Sequence, residues 1–224
     1  MTESATAPDP AANLVYRRLE FAALYLAAPI AMAGLVAGGV VSARSMPNVF
    51  AGVFVFALIL LARTRGFYWR SLFKGGLVPN WGAALLFFGV TAAGVYLLTL
   101  WLAPWSLFGL PNRSPELWTR ILIFYPLLSV IPQGIIYRVL FFARYADLFP
   151  NRMSAIAANA LAFGLGHLFY LNPVAVGLTV VGGAAFGWAY TQYGSFWFAN
   201  LLHAFGGWTI FTVGLGVYFY HGAI

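Results

Sequence analysis

The sequence predicts an all-α fold, a polytopic bundle of about seven transmembrane helices, and three observations carry that expectation. Of the 224 residues, 62% are hydrophobic and only 8% charged, against about 25% charged in soluble globular domains. Apolar runs of about 20 residues, long enough to cross the hydrocarbon at about 1.5 Å rise per residue, recur along nearly the whole chain. No stretch shows the period-two alternation of a barrel strand, and a spanning segment must satisfy its own backbone, which leaves helices.

Cutting the apolar runs at their charged, Pro, Gly and Asn punctuation places spans at 21–41, 46–62, 81–103, 117–142, 154–171, 173–193 and 195–218. Residues 1–20 read as a polar N-terminal tail, disordered over 1–13, where Glu3, Asp9 and two prolines do not fit the basic start of a signal peptide. Residues 21–224 then form one membrane domain. Small residues four apart, Gly34 with Gly38 and Gly183 with Gly187, are candidates for close helix approach. Trp81, Trp101, Trp105 and Trp118 fall at span ends, where amphipathic rings anchor at the interface.

The net charge of +7 comes from basic residues dispersed between apolar spans. They make no continuous patch that could track phosphates, so no nucleic-acid partner is expected. Arg17, Arg18, Arg63, Arg65, Arg70, Lys74, Arg144 and Arg152 all fall on one side of a seven-span chain, with Arg44 and Arg113 opposite. The positive-inside bias then predicts a multi-pass protein with a cytoplasmic N-terminus. With no cysteine, thiol catalysis, disulfides and Cys-built zinc sites are excluded. Two intramembrane histidines fall short of the usual three protein ligands, so neither metal nor cofactor is expected.

Polar groups inside spans must find partners or water, and they concentrate in the C-terminal half. The fourth span contains Pro132, Gln133, Gly134 and Arg138; the proline should open the helix and free a carbonyl for other partners. Arg138 has two readings, a side chain snorkelling to the cytoplasmic interface or one that orients groups inside the bundle. The fifth span contains Phe163 and His167, four apart, and the seventh Asn200 and His203, three apart, so each pair shares a helix face. Reflecting the spans through their turns puts Gln133, His167 and His203 within about 10 Å of one depth at about 1.5 Å per residue. A histidine there serves either as a helix-to-helix hydrogen-bonding group or as a catalyst.

These residues and their order resemble the CPBP family, the CaaX-protease and bacteriocin-processing intramembrane endopeptidases that include the Ras converting enzyme and many bacterial members. The family pattern is two glutamates, three residues and Arg; then Phe, three residues and His; then His, three residues and Asn or Asp. Gln133, Gly134 and Arg138 stand at the first motif, Phe163 and His167 at the second, His203 and Gly207 at the third. The run from Thr212 to Gly222, with His221, also looks like the ending of proteobacterial members, so the resemblance spans a core of about 117–222.

The resemblance implies a bacterial inner-membrane endopeptidase acting on membrane-associated or lipidated peptides. In the family, glutamates and histidines activate the attacking water, while Asn and His stabilise the oxyanion. Here Gln133 and Gly134 replace both glutamates and Gly207 replaces the third-motif Asn or Asp. The five acidic residues, Glu3, Asp9, Glu20, Glu116 and Asp147, lie in tails, loops or span margins. Losing a general base typically costs about 10² to 10⁴ in rate. The implied roles are therefore His167 or His203 for water, the other histidine, Gln133 or Asn200 for the oxyanion, and Arg138 for orientation. The alternatives are a small transporter or proton relay, and a non-enzymatic immunity or binding partner in the membrane.

Overall fold

The structure, a computed structural model, describes residues 10–42 and 44–219. Seven long helices occur among them, one at each expected span. The first, α1, covers 10–37 as Pro10–Ala22, a π turn Ala23–Ala27, and Ala28–Ala37. Helix α2 is Met46–Ala62, α3 Trp81–Leu102, α4 Pro115–Arg144, α5 Arg152–Leu165, α6 Pro173–Tyr193 and α7 Phe196–Val213. No strand occurs among the described residues. Five helical runs are long and apolar enough to cross a membrane. Helix α2, at 17 residues, is apolar but shorter, and α7 is diluted by Asn200 and His203. The chain is an integral membrane protein.

The polar punctuation that divided the sequence performs helix capping. The side chains of Asn80, Asn172 and Ser195 accept from the backbone N–H three residues on, and Asn151 with Ser154 closes a reciprocal capping box. Such caps satisfy otherwise orphaned donors and contribute about 1 kcal/mol each. Consecutive helices run in alternate directions, and contacts at the two ends fix this. At one end Ser195 Oγ donates to the Gly76 carbonyl (2.5 Å) and Arg17 bonds Asp147. At the other the Phe108 N–H donates to the Val213 carbonyl and Asn172 Nδ2 to that of Tyr218, both at 2.8 Å.

Apolar side chains on the outer faces, such as Leu128, Val181 and Trp101, are exposed where lipid would cover them. Inside, Tyr25, Leu61, Val139, Phe141 and Tyr145 form one cluster and Phe163, Phe186, Phe198 and Leu202 a second. Of the two glycine pairs, only one packs helices. A Cβ at Gly183 would meet Ala160 Cα at 3.0 Å and Phe163 Cβ at 3.1 Å, so α5 and α6 approach closely there. Nothing lies within 4 Å of a Cβ at Gly34, and Gly38 would meet only carbonyls of its own turn, so the expectation for that pair is corrected.

Residues 1–9 lie outside the described ones, but α1 begins at Pro10, inside the stretch read as tail. Polar contacts tie its first turns down: Arg144 Nε and Nη2 donate to Glu20 at 2.5 and 2.9 Å, Tyr145 Oη donates to Glu20 at 2.5 Å, and Arg17 pairs with Asp147. The helix thus takes in residues 10–13, expected to be disordered, and 14–20, expected to precede the first span. At the other terminus, His221 and Gly222 lie outside the described residues.

Candidate functional site

Helix α4 runs unbroken through Pro126 and Pro132, although a proline removes one N–H and crowds the preceding turn. It widens instead, into π turns at Pro126–Val130 and Ile135–Leu140. A π turn shifts the bonding register and releases carbonyls. Tyr25 Oη donates to the Ile136 carbonyl at 2.7 Å, and Asn159 Nδ2 donates to that of Tyr137. Helices α1 and α5 therefore grip the wide turn that carries Arg138.

Arg138 is 1% exposed, which corrects the snorkelling reading: the wide turn faces the bundle, not the interface. Its guanidinium carbon lies 4.4 Å from the Phe163 ring centroid and 5.1 Å from that of Phe186. None of its three nitrogens has a hydrogen-bond partner among the described residues.

Beside these two rings lies a cavity of about 300 Å³, walled by α3, α4, α5, α6 and α7. Five of the residues singled out from sequence line it: Gln133, Phe163, His167, His203 and Gly207. Three do not: Arg138 is buried behind the phenylalanine rings, and Gly134 and Asn200 pack against each other. The walls are predominantly apolar, with polar groups at a few points only.

Phe163 organises the histidines. Its ring centroid is 4.6 Å from His167 and 5.4 Å from His203, both edge to face. His203 also stacks on Phe186 at 4.7 Å. His167 does not sit inside α5 as its spacing suggested: the helix ends at Leu165, and His167 follows Gly166 in a non-helical conformation. Position 166 has room only for glycine, since a Cβ there would run into the hydroxyl of Tyr137. His167 Nδ1 lies 2.7 Å from the Phe163 carbonyl. A carbonyl can only accept, so Nδ1 carries the proton and Nε2 keeps its lone pair. The same bond caps the end of α5.

Gln133 Nε2 donates to Ser129 Oγ at 2.8 Å, while its Oε1 is buried without a partner. His203 Nδ1 is likewise buried and unpartnered. No hydrogen bond joins Gln133, His167 and His203 to one another among the described residues. Asn200 Nδ2 donates to the Phe196 carbonyl at 2.9 Å, one turn back in its own helix. Its amide fills the space beside Gly134, where a Cβ would stand 2.8 Å from Asn200 Cγ. Gly207 faces Tyr125 in the same way, and a Cβ there would run into the phenol ring.

Described carboxylates stay at the membrane margins. Glu20 is bound by Arg144 and Tyr145, and Glu116 lies in the first turn of α4. The hydrogen bond from Arg17 holds the Asp147 carboxyl below its ordinary pKa. No group of three His, Cys, Asp or Glu gathers among the described residues.

The sequence reading missed Tyr125, Ser129 and Phe186. The first two had a signal: Tyr125, Ser129 and Gln133 follow at spacings of four, the repeat of one helix face. Phe186 had none, because an apolar residue in an apolar helix is unmarked.

No curated protein and no solved structure matches the chain. Residues 115–209 do match a family model, Rce1-like, described as type II CAAX prenyl endopeptidase. The match opens at the first turn of α4 and closes within α7, so it takes in every site residue named from sequence, Gln133 to Gly207. Over residues 115–209 the chain is therefore similar to the Rce1-like domain of the CPBP family.

Proposed function

We propose that the protein is a CPBP-type intramembrane endopeptidase scaffold whose catalytic power is weakened or lost, and whose cavity receives a membrane-associated or lipidated peptide. The observation that carries this is the arrival of Gln133 from α4, His167 from the turn after α5 and His203 from α7 on one largely apolar cavity. Apolar walls suit a lipid chain or a transmembrane peptide, and a few polar groups fix its orientation.

In this reading His167 is the water-activating residue. Its Nδ1–H is held by the Phe163 carbonyl, which orients the ring and leaves Nε2 to take a proton. Gln133 and His203 supply hydrogen bonds to the developing oxyanion. Asn200 acts on this cavity indirectly, by filling the place beside Gly134. Following the basic-residue bias, the N-terminal end lies on the cytoplasmic side of a bacterial plasma membrane.

The test is peptide cleavage in liposomes by the chain as it stands, beside Gln133→Glu/Gly134→Glu/Asn200→Ala, with His167→Ala in each background. Cleavage that appears or rises by about 10² to 10⁴ with the restored carboxylates, and vanishes with His167→Ala, supports the reading. Proton flux coupled to a solute, with no cleavage in any background, would replace it with a transporter.

A further inference from the structure

We propose that a second cavity, at the end of the bundle that collects the basic residues, binds the phosphate headgroup of an anionic phospholipid. The cavity has a volume of about 260 Å³ and lies between the connection from α2 to α3, the end of α4 and the end of α6. Arg65, Gly66, Ser71 and Tyr190 bring polar groups to it, and Val139 and Phe142 form an apolar part of its wall. It shares no lining residue with the histidine cavity.

Three features point to an anion. The side chains of Arg65, Ser71 and Tyr190 form no hydrogen bond or ion pair among the described residues. The backbone N–H groups of Arg65 and Gly66 donate to no backbone carbonyl there either, and Gly66 takes the left-handed conformation (φ 77°) that makes such a turn. The residues around the concavity thus offer a guanidinium, two hydroxyls and two amides without a backbone acceptor, groups from which phosphate oxygens accept. The local charge is also unbalanced. Glu20 and Asp147, the described carboxylates at this end, are taken by Arg144 and Arg17. Among the described residues, Arg18, Arg63, Arg65, Arg70 and Lys74 are left without a carboxylate.

The surroundings choose lipid over a soluble phosphate. The short 3-10 helix Trp69–Phe73 beside the cavity sits in a run of exposed aromatic and apolar residues. Tyr68 and Phe73 are both 73% exposed, and Trp69, Leu77 and Trp81 are exposed with them. Interleaved with Arg70 and Lys74, they form the pattern of a segment lying at headgroup depth, with rings among the acyl chains and basic groups among the phosphates. A headgroup held there keeps its own chains in the leaflet beside these rings.

The experiment is native mass spectrometry of the full chain in neutral micelles titrated with phosphatidylglycerol, phosphatidylcholine or inorganic phosphate. The variants are Arg65→Gln, Arg65→Gln/Ser71→Ala, and Arg113→Gln at the opposite end as control. One basic residue near an anionic surface is worth about fivefold in affinity. The parent chain and Arg113→Gln are expected to bind a first phosphatidylglycerol ahead of phosphatidylcholine. Arg65→Gln weakens it by about fivefold, and the double variant by more. Equal binding by the parent and Arg65→Gln, or an equal loss in Arg113→Gln, overturns the site. Binding of inorganic phosphate that competes with the lipid overturns the choice of lipid. Exposed Arg65 carries no packing, and cleavage activity plays no part in the readout.

Discussion

The amide of Asn200 stands in the space that a side chain at position 134 would need, with a Cβ there 2.8 Å from Asn200 Cγ. The two residues lie on α7 and α4, so the loss of a side chain on one helix is matched by a polar group from another. The glycine is thus a packing requirement of this chain and not an empty place awaiting a glutamate.

Gly134→Glu alone is therefore expected to destabilise the folded chain by about 1–3 kcal/mol through overpacking. Gly134→Glu/Asn200→Ala should recover more than half of that loss. Thermal unfolding of the two variants in one detergent measures both effects. If Gly134→Glu unfolds with the parent, Asn200 is not the obstacle.

The second departure from the family pattern works the same way. A Cβ at Gly207 collides with the Tyr125 ring, and that ring lies 6.0 Å from His203. Gly207→Ala should destabilise, and should do so much less once Tyr125→Ala has opened the space. A double-mutant cycle should give a coupling of about 0.5–3 kcal/mol, the range for residues in contact. Tyr125→Phe keeps the ring and should give no relief, which separates the ring's bulk from its hydroxyl.

How much of this was legible beforehand depends on which force set each feature. Lipid punishes an unpaired backbone and a buried charge so heavily that helix positions are written into composition, and each of the seven runs lay where its apolar stretch stood. Gln133, His167 and His203 were visible as polar groups inside those runs. Arg138 was visible, but its direction was not: the π turns of α4 rotate it inward, and nothing local announces a π turn. The pairings Gly134 with Asn200 and Gly207 with Tyr125 join residues 66 and 82 positions apart. They depend on how helices nest, which one sequence does not show.

Acid should loosen the N-terminal end of the bundle first. The Asp147 carboxyl is held below its ordinary pKa by its hydrogen bond to Arg17. Its folded pKa is thus depressed relative to the unfolded chain. The pair then contributes stability above the ordinary carboxylate pKa and loses it as pH falls through the folded value. Because Asp147 is 66% exposed, the contribution is small, below about 1 kcal/mol, and salt should weaken it. Asp147→Asn should remove this part of the acid-limb dependence while leaving stability at neutral pH within about 1 kcal/mol. Unfolding midpoints between pH 3 and pH 7 at low and high salt provide the check; an unchanged acid limb in Asp147→Asn would exclude the pair as its source.

Arg138 presents the opposite situation, a charge with no counter-ion among the described residues. Its guanidinium lies against the rings of Phe163 and Phe186, and each such contact contributes about 0.5–2 kcal/mol. Against this stands a desolvation penalty of several kcal/mol for a buried ion, with none of its nitrogens partnered among the described residues. The penalty is the larger quantity, so Arg138→Met should leave the fold as stable or make it more stable, by up to about 4 kcal/mol. Arg138→Lys keeps the charge, loses the planar stacking and should be the less stable of the two. Unfolding of both variants in the same detergent decides the matter. A loss above about 2 kcal/mol in Arg138→Met would mean that the guanidinium is compensated in the membrane by a group outside the described residues, and the balance argued from its isolation would fail.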